Sequence, residues 1–184
     1  MCSSDLGLTK VFTFFLGQEG QLLANGIAIP SAALTLNGST LKSVLGNSVT
    51  LGNASNAGVS GDTTAAGRTR LNFVLDSLER KPDLVVLGLG GNDMLRGIKP
   101  KETRANLEAM LQELQRRKIK VVMTGMLSAP NLGADYARAF NPLYPELAAQ
   151  YGAKLYPFFL EGVVMDKSLM LKDNIHPNAK GVTR

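Results

Sequence analysis

The chain holds a single histidine, and the residues around it have the makings of a proton-transfer site. His176 lies in Asp173-Asn174-Ile175-His176-Pro177-Asn178. Imidazole is the side chain whose ordinary pKa suits proton shuttling near neutrality. Asp173, three residues earlier, is close enough for its carboxylate to accept a bond from the ring Nδ1. That bond would fix the tautomer and leave Nε2 facing a nucleophile, the logic of a Ser-His-Asp triad. The spacing also fits a plain surface turn.

Two further blocks could complete such a site. Gly90-Gly91-Asn92-Asp93 follows directly on the apolar run Leu84 to Leu89. In an open parallel sheet, ligands bind beyond the carboxyl ends of the strands. Two glycines there let the backbone approach a ligand, and Asn92 offers an uncharged amide donor to a developing oxyanion. Gly88-Leu89-Gly90 begins a dinucleotide fingerprint, but position 93 is Asp rather than Gly, and no helix pattern starts until about Lys101. A plain strand-to-loop turn is the other alternative. Upstream, Asn56 to Thr64 precedes a helix pattern, so Gly61 could present its backbone N–H into the same cleft. Asp62 or Thr63 could equally be only the N-cap of that helix.

The elements that must position these blocks are legible from Arg68 onward. Arg68 to Arg80 carries Leu71, Val74, Leu75 and Leu78, the spacing of one helix face. Leu84-Val85-Val86-Leu87 is a continuous apolar run of the buried-strand type. Pro100 precedes Lys101 to Lys118, where Leu107, Met110, Leu111 and Leu114 form a second helical stripe. Val121 to Met123 and Lys154 to Phe159 read as further strands, and Asp135 to Tyr151 between them as a helix interrupted by Pro142 and Pro145. Strands recurring with helical crossovers predict a parallel sheet covered on both faces, an α/β fold. The first part is less regular. Val11 to Asn25 reads as a helix ending at Gly26, Ile27 to Ile29 as a short strand, and Ala33 to Leu36 and Ser48 to Leu51 as candidate strands.

Composition narrows the function classes. At 184 residues and 45% hydrophobic, the chain suits one domain with a substantial core. Its net charge of +5 invites a nucleic-acid reading, but Lys and Arg are dispersed. The densest run, Arg116-Arg117-Lys118, ends a helix pattern and complements the helix dipole. We therefore expect no nucleic-acid partner. One Cys and one His speak against a zinc site of the usual ligand types. No apolar run approaches the roughly 18 residues of a membrane span, and no leader pattern opens the chain, so the compartment is not readable.

In this order, the three blocks resemble the SGNH (GDSL-type) hydrolase family, in its bacterial arylesterase, lysophospholipase and acyl-CoA thioesterase I branch. The matching pieces are Asn56 to Thr64, Leu87 to Gly97, Ala129 to Gly133 with Phe140 and Tyr144, Pro157 to Leu160, and Asp173 to Asn178. They run from about Asn56 to the C-terminus; residues 1–55 match poorly, and a closing C-terminal helix is expected to be cut short. The resemblance implies a single three-layer α/β/α domain, flavodoxin-like, with about five mostly parallel strands. It implies hydrolysis of small acyl esters or thioesters through a serine acyl-enzyme, with no cofactor or metal. His176 would be the general base and Asp173 its orienting group. The backbone N–H of the nucleophilic serine, Gly61 N–H and the Asn92 side chain would hold the oxyanion. Asp93, Leu95, Pro130 and Asn131 would contact substrate.

The nucleophile is where the chain departs from the pattern. The family's Gly-Asp-Ser-Leu block follows its first strand, and no such block is present; Gly7-Leu8-Thr9-Lys10 resembles the segment just downstream of it. An incomplete first strand is therefore expected, leaving a central slot open or filled by Ala33 to Leu36 or Ser48 to Leu51. Ser3, Ser4 and Ser39 are weak candidates, and Leu16-Gly17-Gln18-Glu19 mimics the surrounding pattern with Glu at the serine position. The alternative function is a non-catalytic domain that at most binds acyl ligands.

Overall fold

A computed structural model of the 184-residue chain describes the backbone of residues 11–14, 35–36, 39–40 and 54–182, and side chains from residue 57 to residue 182. Its centre is a five-stranded parallel sheet formed by β1 (Val11–Phe14), β4 (Ala54–Asn56), β5 (Leu84–Leu87), β6 (Lys120–Thr124) and β7 (Lys154–Tyr156). The spatial order is β4-β1-β5-β6-β7, so the first of the described strands lies inside the sheet. Counting only sheet strands, this is the 2-1-3-4-5 doubly wound order, whose switch point falls between the carboxyl ends of β1 and β5. A separate antiparallel pair joins β2 (Thr35–Leu36) to β3 (Ser39–Thr40).

The central slot is filled, but not as expected. Val11–Phe14 pairs with β4 on one side and with β5 on the other, in place of the helix read from residue 11. Its residues, Val-Phe-Thr-Phe, are β-branched or aromatic throughout, a composition that favours a strand. A short apolar run does not separate the two periods by itself. Thr35–Leu36, part of a candidate for the slot, instead belongs to the small antiparallel pair. Ile27 to Ile29 and Ser48 to Leu51 lie outside the described residues.

The remaining elements follow the sequence patterns closely. β5 contributes Val85 and Val86, both fully buried, as befits a central strand covered on two faces. Helices α1 (Thr64–Asp76), α3 (Pro100–Arg116) and α5 (Leu143–Tyr151) pack side by side, α3 in the middle. On α3, Leu107, Met110, Leu111 and Leu114 are all buried, and burying each of these side chains stabilises the fold by roughly 1.5–3 kcal/mol. Pro100 occupies the first turn of α3, where a missing N–H costs nothing. The interrupted helical stretch is two helices, α4 (Gly133–Phe140) and α5, with Pro145 tolerated in the first turn of the second. One element was not foreseen: a five-residue helix, α2 (Gly91–Leu95), starts immediately after Gly90 rather than at Lys101. Four-residue α6 (Ala179–Val182) follows the histidine block. Among the described residues no helix is long and apolar enough to cross a membrane.

Candidate active site

The loops leaving β4 and β5 at their carboxyl ends, on either side of β1, carry Gly61 and Asn92. They are tied together by α2. Asn92 Nδ2 donates to the Asp62 carbonyl (2.9 Å), and Arg96 Nη2 donates to the Gly61 carbonyl (2.8 Å). Two consecutive carbonyls are thus pinned from α2 and its C-cap residue Arg96, which fixes the two peptides that follow Gly61. An amide nitrogen has two hydrogens; one of those on Asn92 is spent on Asp62, which leaves the second for another acceptor. Asn92 itself is buried.

Asp93 holds this corner to the rest of the domain. Its carboxylate accepts from Thr64 N–H (2.8 Å), from the Thr64 hydroxyl, and from the Thr103 hydroxyl (3.1 Å). Asn106 Nδ2 in turn donates to Thr64 Oγ1 (3.2 Å). The Thr64 N–H is an orphan donor of the first turn of α1, so a carboxylate there also meets the positive end of the helix dipole. Asp93 was expected to contact substrate. It is instead sealed from solvent, with its oxygens taken up inside the fold, so it braces Asn92 and does not face a ligand. Of the two N-cap candidates, Thr63 caps α1, its Oγ1 accepting from Ala66 N–H (3.3 Å), and Asp62 pairs with Arg70 (2.6 Å).

The turn into α2 depends on Gly90, which sits at φ 109°, a left-handed conformation open chiefly to glycine. A Cβ at this position would overlap the Tyr144 hydroxyl. That hydroxyl donates to the Leu89 carbonyl (2.9 Å), inside the core. Burial, with the Asp93 carboxylate nearby, pushes the Tyr144 phenol well above its ordinary range, so it stays a donor. Tyr136, raised for the same two reasons, donates to the Ile98 carbonyl (2.8 Å) just past α2.

The histidine block forms a small hairpin beyond β7. Met170 bridges Pro177 in antiparallel fashion, and Leu171 N–H donates to the His176 carbonyl (2.7 Å). At its tip, Asp173 Oδ1 accepts from the backbone N–H groups of Ile175 (2.9 Å) and His176 (3.0 Å). Asp173 Oδ2 lies 2.6 Å from His176 Nδ1. A carboxylate can only accept, so Nδ1 carries the hydrogen, and in the neutral ring Nε2 then presents its lone pair. The His176 backbone N–H, then its ring, then the Ile175 N–H hold the Asp173 carboxyl down at about 2. Unlike Asn92, this pair is partly open to solvent.

Leu95, Pro130 and Asn131 are all exposed, the last two in a short 3-10 helix following β6. The structure therefore ties the Gly61–Asp62 segment to Asn92 and Arg96, and Asp173 to His176, as two hydrogen-bonded units. Ser3, Ser4 and Glu19 lie outside the described residues, and of Ser39 the structure describes the backbone alone, in β3. Sequence reading assigned no role to Arg96, Thr64, Thr103 or Asn178. Of these, Thr64, Arg96 and Asn178 lie within the three blocks that carry the resemblance, and Thr103 lies outside them.

Comparison with known proteins places the chain in a family. Residues 31–184 match the model of the GDSL-like lipase/acylhydrolase family. Esterase TesA of Pseudomonas aeruginosa is 46% identical over 122 residues, 66% of this chain and 60% of that protein. Thioesterase 1/protease 1/lysophospholipase L1 of Escherichia coli K12 is 37% identical over 123 residues, 67% of this chain and 58% of that protein. The aligned part thus spans about three-fifths of the length of these relatives. The crystal structure of AlinE4, an SGNH-hydrolase family esterase, superposes with a TM-score of 0.70 at 43% identity, over 95% of this chain and 89% of that one. The chain belongs to the GDSL-like lipase/acylhydrolase family.

Proposed function

We propose that the protein hydrolyses carboxylic esters or thioesters through a serine acyl-enzyme, with His176 as general base and Asp173 as its orienting group. The observation that carries this reading is the 2.6 Å contact between His176 Nδ1 and Asp173 Oδ2, which commits Nδ1 to the carboxylate and leaves Nε2 basic. Nε2 takes the proton of the serine hydroxyl as its oxygen attacks the acyl carbon. The resulting oxyanion is held by the second hydrogen of Asn92 Nδ2 and by Gly61 N–H. Imidazolium then returns the proton to the leaving alcohol or thiol, and water repeats the sequence on the acyl-enzyme. Asn92 and Gly61 suit the oxyanion because both are fixed before substrate arrives, so no reorganisation is needed during the reaction. Leu95, in the segment after β5, and Pro130 and Asn131, in the segment after β6, are exposed beyond the carboxyl ends of these strands and line the approach for the acyl group.

The names of the relatives, an esterase and a thioesterase/lysophospholipase, support this substrate class. The test is hydrolysis of p-nitrophenyl butyrate by the purified chain beside a His176→Ala variant. Turnover is expected in the parent and background rates in the variant, since loss of the base in such triads costs on the order of a million-fold in kcat. A serine-reactive phosphonate, followed by peptide mass analysis, then identifies the nucleophile. A folded but inactive parent overturns the reading and favours a domain that only binds acyl ligands.

A further inference from the structure

Asn178 makes more hydrogen bonds than its place in a turn requires. Its Nδ2 donates to the Ser168 carbonyl (2.8 Å) and to the Met170 carbonyl (3.1 Å). Its Oδ1 accepts from Lys180 N–H (2.9 Å) and Gly181 N–H (3.2 Å), the first turn of α6. Its backbone N–H donates to the Leu169 carbonyl (2.8 Å), and its carbonyl accepts from Val182 N–H (2.9 Å). Both side-chain hydrogens and the amide oxygen are therefore in use. Together these bonds join one arm of the histidine hairpin, residues 168–170, to the other arm and to α6. They lie at the open end of the hairpin, just below the Leu171–His176 bond that closes it. At the tip, Asp173 and His176 meet only if the arms stay in register, because both are partly open to solvent and their contact is local.

We propose that Asn178 is a positioning residue for His176: it staples the stem of the hairpin so that Nδ1 stays on the Asp173 carboxylate. This rests on the reading of His176 as general base, two residues away. An aspartate at the same position would keep the cap on α6 but turn a carboxylate, which has no hydrogens, toward two carbonyl oxygens. An alanine would lose both functions.

Because the chain has one histidine, its imidazole nitrogens are read without ambiguity by long-range ¹H–¹⁵N NMR. The experiment compares the neutral tautomers of His176 in the full chain, Asn178→Asp and Asn178→Ala, with circular dichroism to confirm folding. The parent is expected to be mainly the Nδ1–H tautomer. In each variant the Nδ1–H to Nε2–H ratio should fall by about three- to tenfold, the weight of one ordinary hydrogen bond. An unchanged ratio in a folded variant overturns the proposal. So does a parent without the Nδ1–H preference, and so does unfolding of both variants, which would make the role purely structural. The readout needs no turnover. An inactive parent that still shows the tautomer shift would sink the hydrolase reading and leave the positioning role of Asn178 standing.

Discussion

In the Gly61–Asn92 corner the fixing carboxylate, Asp93, is 1% exposed and takes its hydrogen bonds from residues 29 and 10 positions away. In the histidine hairpin the Asp173 side chain is 41% exposed, and its donors come from two and three residues downstream. A buried, long-range carboxylate is coupled to the whole domain: its partners can move only if α1, α2 and α3 separate. A local, exposed one can be disrupted while the fold stays intact. The division suits the proposed chemistry. Oxyanion donors gain from being rigid and dry, whereas a base that exchanges protons with incoming water must stay reachable. Stability and chemistry are inseparable at the first site and separable at the second.

The strongest way to break that contrast is Gly90→Ala. It combines a left-handed backbone with overlap of the Tyr144 hydroxyl, and the expected loss is roughly 3–5 kcal/mol in urea unfolding. Gly152→Ala is the control: its backbone is also left-handed (φ 64°, ψ 23°), but a Cβ there meets nothing within 4 Å. It should cost only about 1–2 kcal/mol. Equal losses would mean that backbone strain alone sets the cost and that the contact with Tyr144 is unimportant. Next comes Asp93→Ala, which strands Thr64 N–H and two threonine hydroxyls in the interior. A loss of about 2–3 kcal/mol is expected, and a variant as stable as the parent would show that the corner does not depend on its carboxylate.

The same contrast explains what the sequence made legible. The hairpin pair is local: Asp173 and His176 stand three residues apart, so residue type and spacing were enough to suggest contact. The strands β5, β6 and β7 and helix α3 were readable for a similar reason, since each carries its own period or apolar run. The bracing bonds of Asp93 were not legible because its partners, Thr64 and Thr103, come from other helices, and no pattern within Gly90 to Asp93 points to them. α2 was missed because five residues are too few to show a helical stripe. Arg96 and Tyr144 act on backbone carbonyls, Gly61 O and Leu89 O, which leave no trace in side-chain type. Val11–Phe14 differs from the helix expected there because four residues carry little periodicity; its pairing with both β4 and β5 settles what its β-branched and aromatic composition only favours.

The smallest effect on stability belongs to Asp173, and it sharpens the comparison through pH. Its carboxyl is held at about 2, below the ordinary aspartate range, by the N–H groups of His176 and Ile175 and by the His176 ring. A carboxyl lowered in the folded state favours folding above its unfolded pKa, and that contribution is lost as pH falls through the folded value. The share owed to Asp173 is therefore complete above about pH 4 and fades toward about pH 2. Carboxyl-carbon NMR of Asp173 should show a midpoint at about 2. Asp173→Asn should leave the urea midpoint at neutral pH nearly unchanged, because the side chain is exposed and its partners can turn to water. It should nevertheless abolish the Nδ1–H preference of His176, since the amide is a weaker acceptor and brings no charge. A large loss of stability in Asp173→Asn, comparable with that of Asp93→Ala, would erase the distinction between the two sites. A midpoint in the ordinary aspartate range would show that the tip of the hairpin is open in solution and that His176 lacks its orienting partner.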